Sequence, residues 1–97
     1  MIDLPPKQVD MVMDILHRLI PDHRVIAFGS RVSGGAEPFS DLDLLVLSEE
    51  PLEWRLLCEL RLAFSESDLP IVVDLLDQHD LDEERVHSLK QQGVILQ

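Results

Sequence analysis

Residues 40–47 read SDLDLLVL, an apolar run that two aspartates interrupt at positions two apart. Side chains alternate along a β-strand, so Asp41 and Asp43 would share one face while Leu42, Leu44 and Val46 occupy the other and can enter the core. A carboxylate buried without a partner is costly. The stretch therefore predicts a buried strand whose two carboxylates are compensated by a partner group outside the strand.

Prolines, glycines and apolar periodicity divide the rest of the chain into further elements. The predicted order is α-β-β-α-β-α, which indicates a small α/β (α+β) fold, a mixed sheet flanked by helices, with one domain over residues 1–97. The predicted elements are a helix between Pro6 and Pro21, strands at Arg24–Phe28, Asp41–Leu47 and Ile71–Leu76, a helix over 51–66, and a last helix between Asp82 and Gly93. Residues 31–39 are predicted to form a loop, Trp54 to lie in the core, and Val94–Leu96 to be an apolar tail.

The composition is strongly acidic, with 8 lysines and arginines against 19 aspartates and glutamates, a formal net charge of -11. Such a surface repels a phosphate backbone, so we expect no direct nucleic-acid binding. It suits a basic protein partner, or a site where cations mediate contact with phosphate. Cys58 is the one cysteine, which fits a reducing cytoplasm. No run reaches the length of a membrane span, so no membrane association is expected.

A third aspartate lies in another apolar run, IVVDLLD over residues 71–77. If that strand neighbours the first, three carboxylates come close together, and they repel one another unless a cation lies between them. Oxygen-rich sites of this kind suit Mg²⁺, which takes one or two carboxylates plus waters and substrate phosphates. Asp74 is the favoured third carboxylate because apolar residues flank it on both sides, and Asp77 competes with it.

Gly29 and Ser30 follow the first predicted strand directly. Glycine lets the backbone approach a ligand closely. The Ser30 hydroxyl and the N–H groups of the loop are suitable donors for phosphate oxygens. The whole pattern is therefore Gly-Ser, ten residues, Asp-x-Asp, and a further acidic residue on a later strand.

This pattern resembles the nucleotidyltransferase fold of the DNA polymerase β superfamily and, within it, the minimal nucleotidyltransferase (MNT) antitoxin family. The likeness runs over nearly the whole chain, through the segments FGSR, SDLDLLVL, VDLLD and a final helix that ends in GVIL. The residues that carry it are Gly29, Ser30, Arg31, Gly34, Ser40, Asp41, Asp43 and Asp74.

The resemblance implies an enzyme that uses ATP and Mg²⁺, with up to two ions. Asp41, Asp43 and usually Asp74 would be the metal-binding and catalytic residues. Gly29, Ser30, Arg31 and Ser40 would contact the nucleotide. AMP would pass to a hydroxyl of a HEPN-domain toxin, an RNase that we expect to be basic because it must attract RNA.

Two other functions stay open at the level of sequence. Many members of the family read Gly-Ser-Arg-Ala-Arg-Gly, whereas this chain has Ser33 in place of the second arginine. A cationic phosphate contact is then absent, which favours an antitoxin that neutralises its toxin by binding alone. A small-molecule nucleotidyltransferase is the other alternative, and the lack of a second lobe weighs against it.

Overall fold

A computed structural model describes residues 2–97 as a four-stranded mixed β-sheet with helices on both faces. The helices are α1 (Pro6–Leu19), α2 (Ser30–Ser33), α3 (Trp54–Glu66) and α4 (Glu83–Gln92). The strands are β1 (Arg24–Phe28), β2 (Leu42–Leu47), β3 (Val73–Asp77) and β4 (Val94–Ile95), and a 3₁₀ turn, Gln78–Asp80, follows β3. No helix in the described part of the chain is long and apolar enough to cross a membrane.

The strands lie in the order β3-β2-β1-β4. β1 pairs antiparallel with β2 and with β4, whereas β2 and β3 are parallel. Parallel strands need a long crossover connection, and α3 supplies it. The acidic strand β2 is therefore central, with a hydrogen-bonded neighbour on each side.

The two faces of β2 differ because its side chains alternate. Leu42, Leu44 and Val46 are fully buried under α1 and α3, as the sequence predicts. The opposite face carries Leu45, which packs in a second apolar cluster with α4. Asp43 lies on this second face, two residues before Leu45. β2 thus buries one face completely and leaves the acidic end of the other outside the apolar clusters.

Predicted and observed elements differ mainly at their ends. β1 has the predicted bounds, β2 begins one residue late, and β3 is displaced toward the C-terminus. The predicted loop 31–39 begins inside the single turn of α2, and the predicted tail forms β4 against Ile26 and Ala27. Gly93 makes that pairing feasible, since a Cβ there would collide with Ile26 and the Ala27 carbonyl.

The prediction that Trp54 lies in the core is wrong, because its side chain is largely exposed. Trp54 is the first residue of α3 and stands six positions before Leu60, which is fully buried. Six residues of α-helix rotate the side chain about 120° away from the buried direction.

Asp77 is a buried carboxylate, 5% exposed, that belongs to the framework of the fold. Its Oδ2 accepts a hydrogen bond from the Leu52 N–H at 2.8 Å, and its Oδ1 accepts one from the His79 N–H at 3.0 Å. One side chain thereby joins the segment before α3 to the turn after β3.

We expect Asp77→Ala to lower the free energy of unfolding by about 1–3 kcal/mol, because it leaves two part-buried N–H groups without their acceptors. Asp74→Ala is the matched control, since it removes an exposed aspartate of the same strand. That variant should stay within about 0.5 kcal/mol of the parent chain. Urea unfolding at neutral pH measures both, and equal losses would contradict the framework role of Asp77.

Candidate functional site

Three aspartates come together where β2 and β3 begin. Asp43 is the register partner of Asp74 on the parallel neighbour, at an interstrand spacing of about 4.8 Å. Asp41 directly precedes β2 and, like Asp74, is exposed, whereas Asp43 is half-buried. The sequence left Asp74 and Asp77 as alternatives, and Asp74 is the residue that lies beside Asp43. Asp77 pairs with Val46 instead, three positions farther along the strands.

The surroundings of Asp43 disfavour a negative charge. Burial raises the pKa of the Asp43 carboxyl, and the charges of Asp74 and then Asp41 raise it further. A cation placed among the three would offset this repulsion. The electrostatics therefore favour binding of a positively charged group at this end of the sheet.

Gly29 closes this site from the side of β1. Phe28, the last residue of β1, pairs with Asp43, so the chain turns at Gly29 directly beside that carboxylate. Gly29 has a φ of 81°, and a Cβ at this position would collide with the Asp43 carboxylate. Only glycine meets both conditions. The turn and Asp43 consequently form one compact unit, with Ser30 next to it as the first residue of α2.

Arg31 and Ser40 are the other two predicted nucleotide contacts, and both side chains form hydrogen bonds with other groups of the protein. The Arg31 guanidinium is buried and donates to backbone carbonyls, among them that of Ser40. The Ser40 hydroxyl accepts a hydrogen bond from the Glu37 N–H at 2.8 Å. Ser33, which replaces the second arginine of the family pattern, donates its hydroxyl to the Gly29 carbonyl at 3.1 Å. These residues brace the turn and the loop that flank the aspartates.

Within residues 2–97, no three His, Cys, Asp or Glu side chains are arranged to hold a metal ion by themselves. Mg²⁺ is commonly held by one or two carboxylates, with waters and substrate phosphates as its remaining ligands. The donor set of Asp41, Asp43 and Asp74 fits an ion of that kind. Such an ion would depend on a phosphate-bearing ligand to complete its shell.

Sequence reasoning missed two exposed apolar side chains next to the aspartates. Phe39, two residues before Asp41, is 81% exposed. Val72 is 64% exposed, and its carbonyl accepts a hydrogen bond from the Leu42 N–H, so it lies beside the start of β2. An aromatic residue within the polar loop GGAEPFSD is the only signal that the sequence offers for this surface.

We expect Gly29→Ala to weaken binding of Mn²⁺ with an ATP analogue, because the new methyl group displaces the Asp43 carboxylate. Gly35→Ala is a matched control, since Gly35 has a φ of 80° and open space around its Cβ position. Both variants carry the cost of a positive φ, about 1–2 kcal/mol. Calorimetric titration should show weaker binding for Gly29→Ala alone, and equal affinities would exclude the close approach as the reason for the glycine.

We expect Asp43→Asn to be more stable than the parent chain at pH 7 without metal. The pKa of Asp43 is raised in the folded protein, so the folded protein keeps the carboxyl proton at pH values where the unfolded chain, with an ordinary aspartate pKa of about 3.9, has lost it. The parent chain therefore loses stability as the pH rises through the raised pKa. The gap in melting temperature should therefore shrink as the pH falls toward that ordinary value.

The control for this pH series is Asp22→Asn, which removes the same charge at an exposed position before β1, at the opposite end of the sheet. Melting curves are recorded in EDTA for all three proteins. A stability gain as large in Asp22→Asn as in Asp43→Asn would assign the effect to the overall charge of -11 rather than to the aspartate cluster.

Comparison with known proteins places this geometry in a family. The model of the nucleotidyltransferase domain matches residues 9–95. A Haemophilus influenzae protein named "Probable protein adenylyltransferase MntA" is 45% identical over 96 residues, which cover 99% of this chain and 84% of that relative.

Solved structures share the fold. A chain in the crystal structure of a toxin-antitoxin with AMP-PNP superposes with a TM-score of 0.74 at 27% identity, over 92% of this chain and 72% of the other. A chain of the toxin-antitoxin MntA-HepT shares the fold at 22% identity, with a TM-score of 0.61, over 96% of this chain and 72% of its own length. The match to the family covers most of this chain and includes the aspartate cluster and the Gly29 turn. This chain therefore belongs to the nucleotidyltransferase domain family.

Proposed function

We propose that this chain transfers AMP from ATP to a side-chain hydroxyl of a HEPN-type toxin and thereby acts as its antitoxin. The observation that carries the proposal is the register of β2 and β3, which sets Asp43 beside Asp74 and both next to the Gly29 turn. The similarity to an adenylyltransferase, and to a toxin-antitoxin chain solved with an ATP analogue, supports the same chemistry.

Each residue of the site has its own role in the transfer, which follows from its position. The Gly29–Ser30 turn seats the triphosphate, since a turn without a Cβ at Gly29 allows close backbone approach. Asp41 and Asp43, together with Asp74, would hold Mg²⁺, which would supply neutralisation of the charge on the attacking and leaving oxygens. The acceptor oxygen forms a bond to the α-phosphorus, the bond from that phosphorus to the bridging oxygen breaks, and pyrophosphate leaves.

The acceptor reaches the site from the side of β3, which is an edge strand of the sheet. Asp74 is exposed on that strand, and we assign to it the proton of the incoming hydroxyl. Phe39 and Val72 give a protein acceptor an apolar surface to pack against beside the aspartates. The net charge of -11 favours encounter with a basic toxin. We assign the reaction to the cytoplasm, where ATP and a toxin RNase would both be present.

We expect a toxin co-expressed with this chain to gain about 329 Da for each AMP transferred, which follows from metal-assisted nucleotidyl transfer. The two proteins are separated under denaturing conditions, and the toxin is weighed by mass spectrometry. Asp41→Asn and Ser30→Ala should still bind the toxin but leave its mass unchanged and protect cells poorly. Asp22→Asn, which lies at the far end of the sheet, should modify the toxin like the parent chain.

Neutralisation by binding alone is the second candidate, favoured by Ser33 at the position of the family's second arginine. Both functions give a complex, so complex formation does not distinguish them. A toxin of unmodified mass, together with full protection by Asp41→Asn, would reject the enzyme and leave the binding antitoxin. Transfer of AMP to an aminoglycoside but not to the toxin would instead favour the small-molecule enzyme.

A further inference from the structure

Arg31 is a buried cation whose hydrogen-bond partners are all backbone carbonyls. Its side chain is 6% exposed. Nη2 donates to the carbonyls of Glu37, Pro38 and Ser40 at 3.3, 3.0 and 3.0 Å. Nε also donates to the Ser40 carbonyl, at 3.2 Å, and Nη1 donates to the Asp3 carbonyl at 3.0 Å.

No carboxylate in the described part of the chain forms an ion pair with this guanidinium. The one ion pair among residues 2–97 joins Arg18 to Asp14 on the surface of α1. A buried charge is tolerated only when its hydrogen bonds are satisfied, and here peptide oxygens satisfy them. The fixed fork of an arginine can reach several carbonyls at once, whereas a lysine ammonium is a compact point charge. The position therefore requires the geometry of arginine as well as its charge.

Three of the four carbonyls that accept from Arg31 belong to the segment that leads into Asp41. Residues 37–40 immediately precede this aspartate, and within the segment the Ser40 N–H donates to the Glu37 carbonyl. Arg31 itself lies in α2, which begins at the Gly29–Ser30 turn. The Arg31 side chain thus connects the turn beside Asp43 with the loop end that carries Asp41.

We propose that Arg31 is a positioning residue for nucleotidyl transfer: it fixes Asp41 relative to the Gly29–Ser30 turn through backbone carbonyls and does not contact the nucleotide. This inference rests on the proposed function and changes the role that the family resemblance implies for Arg31. Nε, Nη1 and Nη2, the donors that would reach a phosphate, already donate to backbone carbonyls of the protein.

Steady-state kinetics of Arg31→Lys separate the two roles. A positioning residue predicts that kcat falls by about 10- to 100-fold, as misplacement of a reacting group does, while the KM for ATP changes little. Arg85→Lys, at an exposed position of α4, is the control and should leave both constants unchanged. A rise in KM with an unchanged kcat would overturn the proposal in favour of a direct phosphate contact.

Hydrogen–deuterium exchange tests the position of the loop without any need for activity. In Arg31→Lys, the amides of residues 36–41 should exchange faster, while those of β1 and β2 keep the exchange rates of the parent chain. Unchanged exchange in that loop would contradict the proposal. If the parent chain transfers no AMP, the proposed function fails, and this measurement still decides whether Arg31 holds the loop.

The Nε–H signal of Arg31 in the NMR spectrum gives a test that uses only the parent protein, so it does not depend on whether a variant folds. We expect this proton to exchange slowly with water and to keep its chemical shift when AMP-PNP and Mg²⁺ are added. A rapidly exchanging proton, or a large shift on addition of the nucleotide, would reject the positioning role.

Discussion

The structure depends on how one carboxylate, Asp43, is accommodated in the central strand of a sheet. Partial burial opposes its ionisation most, and the charges of its strand neighbour Asp74 and of the preceding Asp41 add to that effect. Gly29 packs against it with no room for a side chain. The rest of β2 compensates by burying Leu42, Leu44, Leu45 and Val46 completely. The fold thus carries a locally unfavourable cluster that a cation with a phosphate ligand would relieve, and stability elsewhere in the sheet keeps that cluster in place.

How far the sequence predicts this arrangement depends on the range of each interaction. Alternation along residues 41–47 is a local property, so the buried and acidic faces of β2 could be read directly. The pairing of Asp43 with Asp74 needs the parallel register of two strands 31 positions apart, which no local pattern contains. Asp77 shows the limit most clearly. It stands in the same apolar run as Asp74, and only the contacts with Leu52 and His79 distinguish a framework carboxylate from a site carboxylate.

Arg31 shows a different limit of sequence reasoning. An arginine next to a Gly-Ser turn suggests a phosphate ligand, because its charge is the property that the sequence displays. Its actual partners are peptide oxygens, which every residue possesses, so no residue type in the loop reveals them. The short helix α2 was missed for a related reason, since a single turn has too few residues to show a period.

The hydrogen bonds between Arg31 and Asp3 extend the support of the site to the beginning of the described chain. The Asp3 N–H donates to the Arg31 carbonyl, and the Asp3 carbonyl accepts from the Arg31 guanidinium. Both backbone polar groups of Asp3, its N–H and its carbonyl, are therefore hydrogen-bonded to Arg31. A deletion that removes it would leave one guanidinium donor without its acceptor, next to the loop that ends at Asp41. Removal of Asp3 is therefore a change at the loop that precedes Asp41, although the contact runs through the Asp3 backbone and not through its side chain.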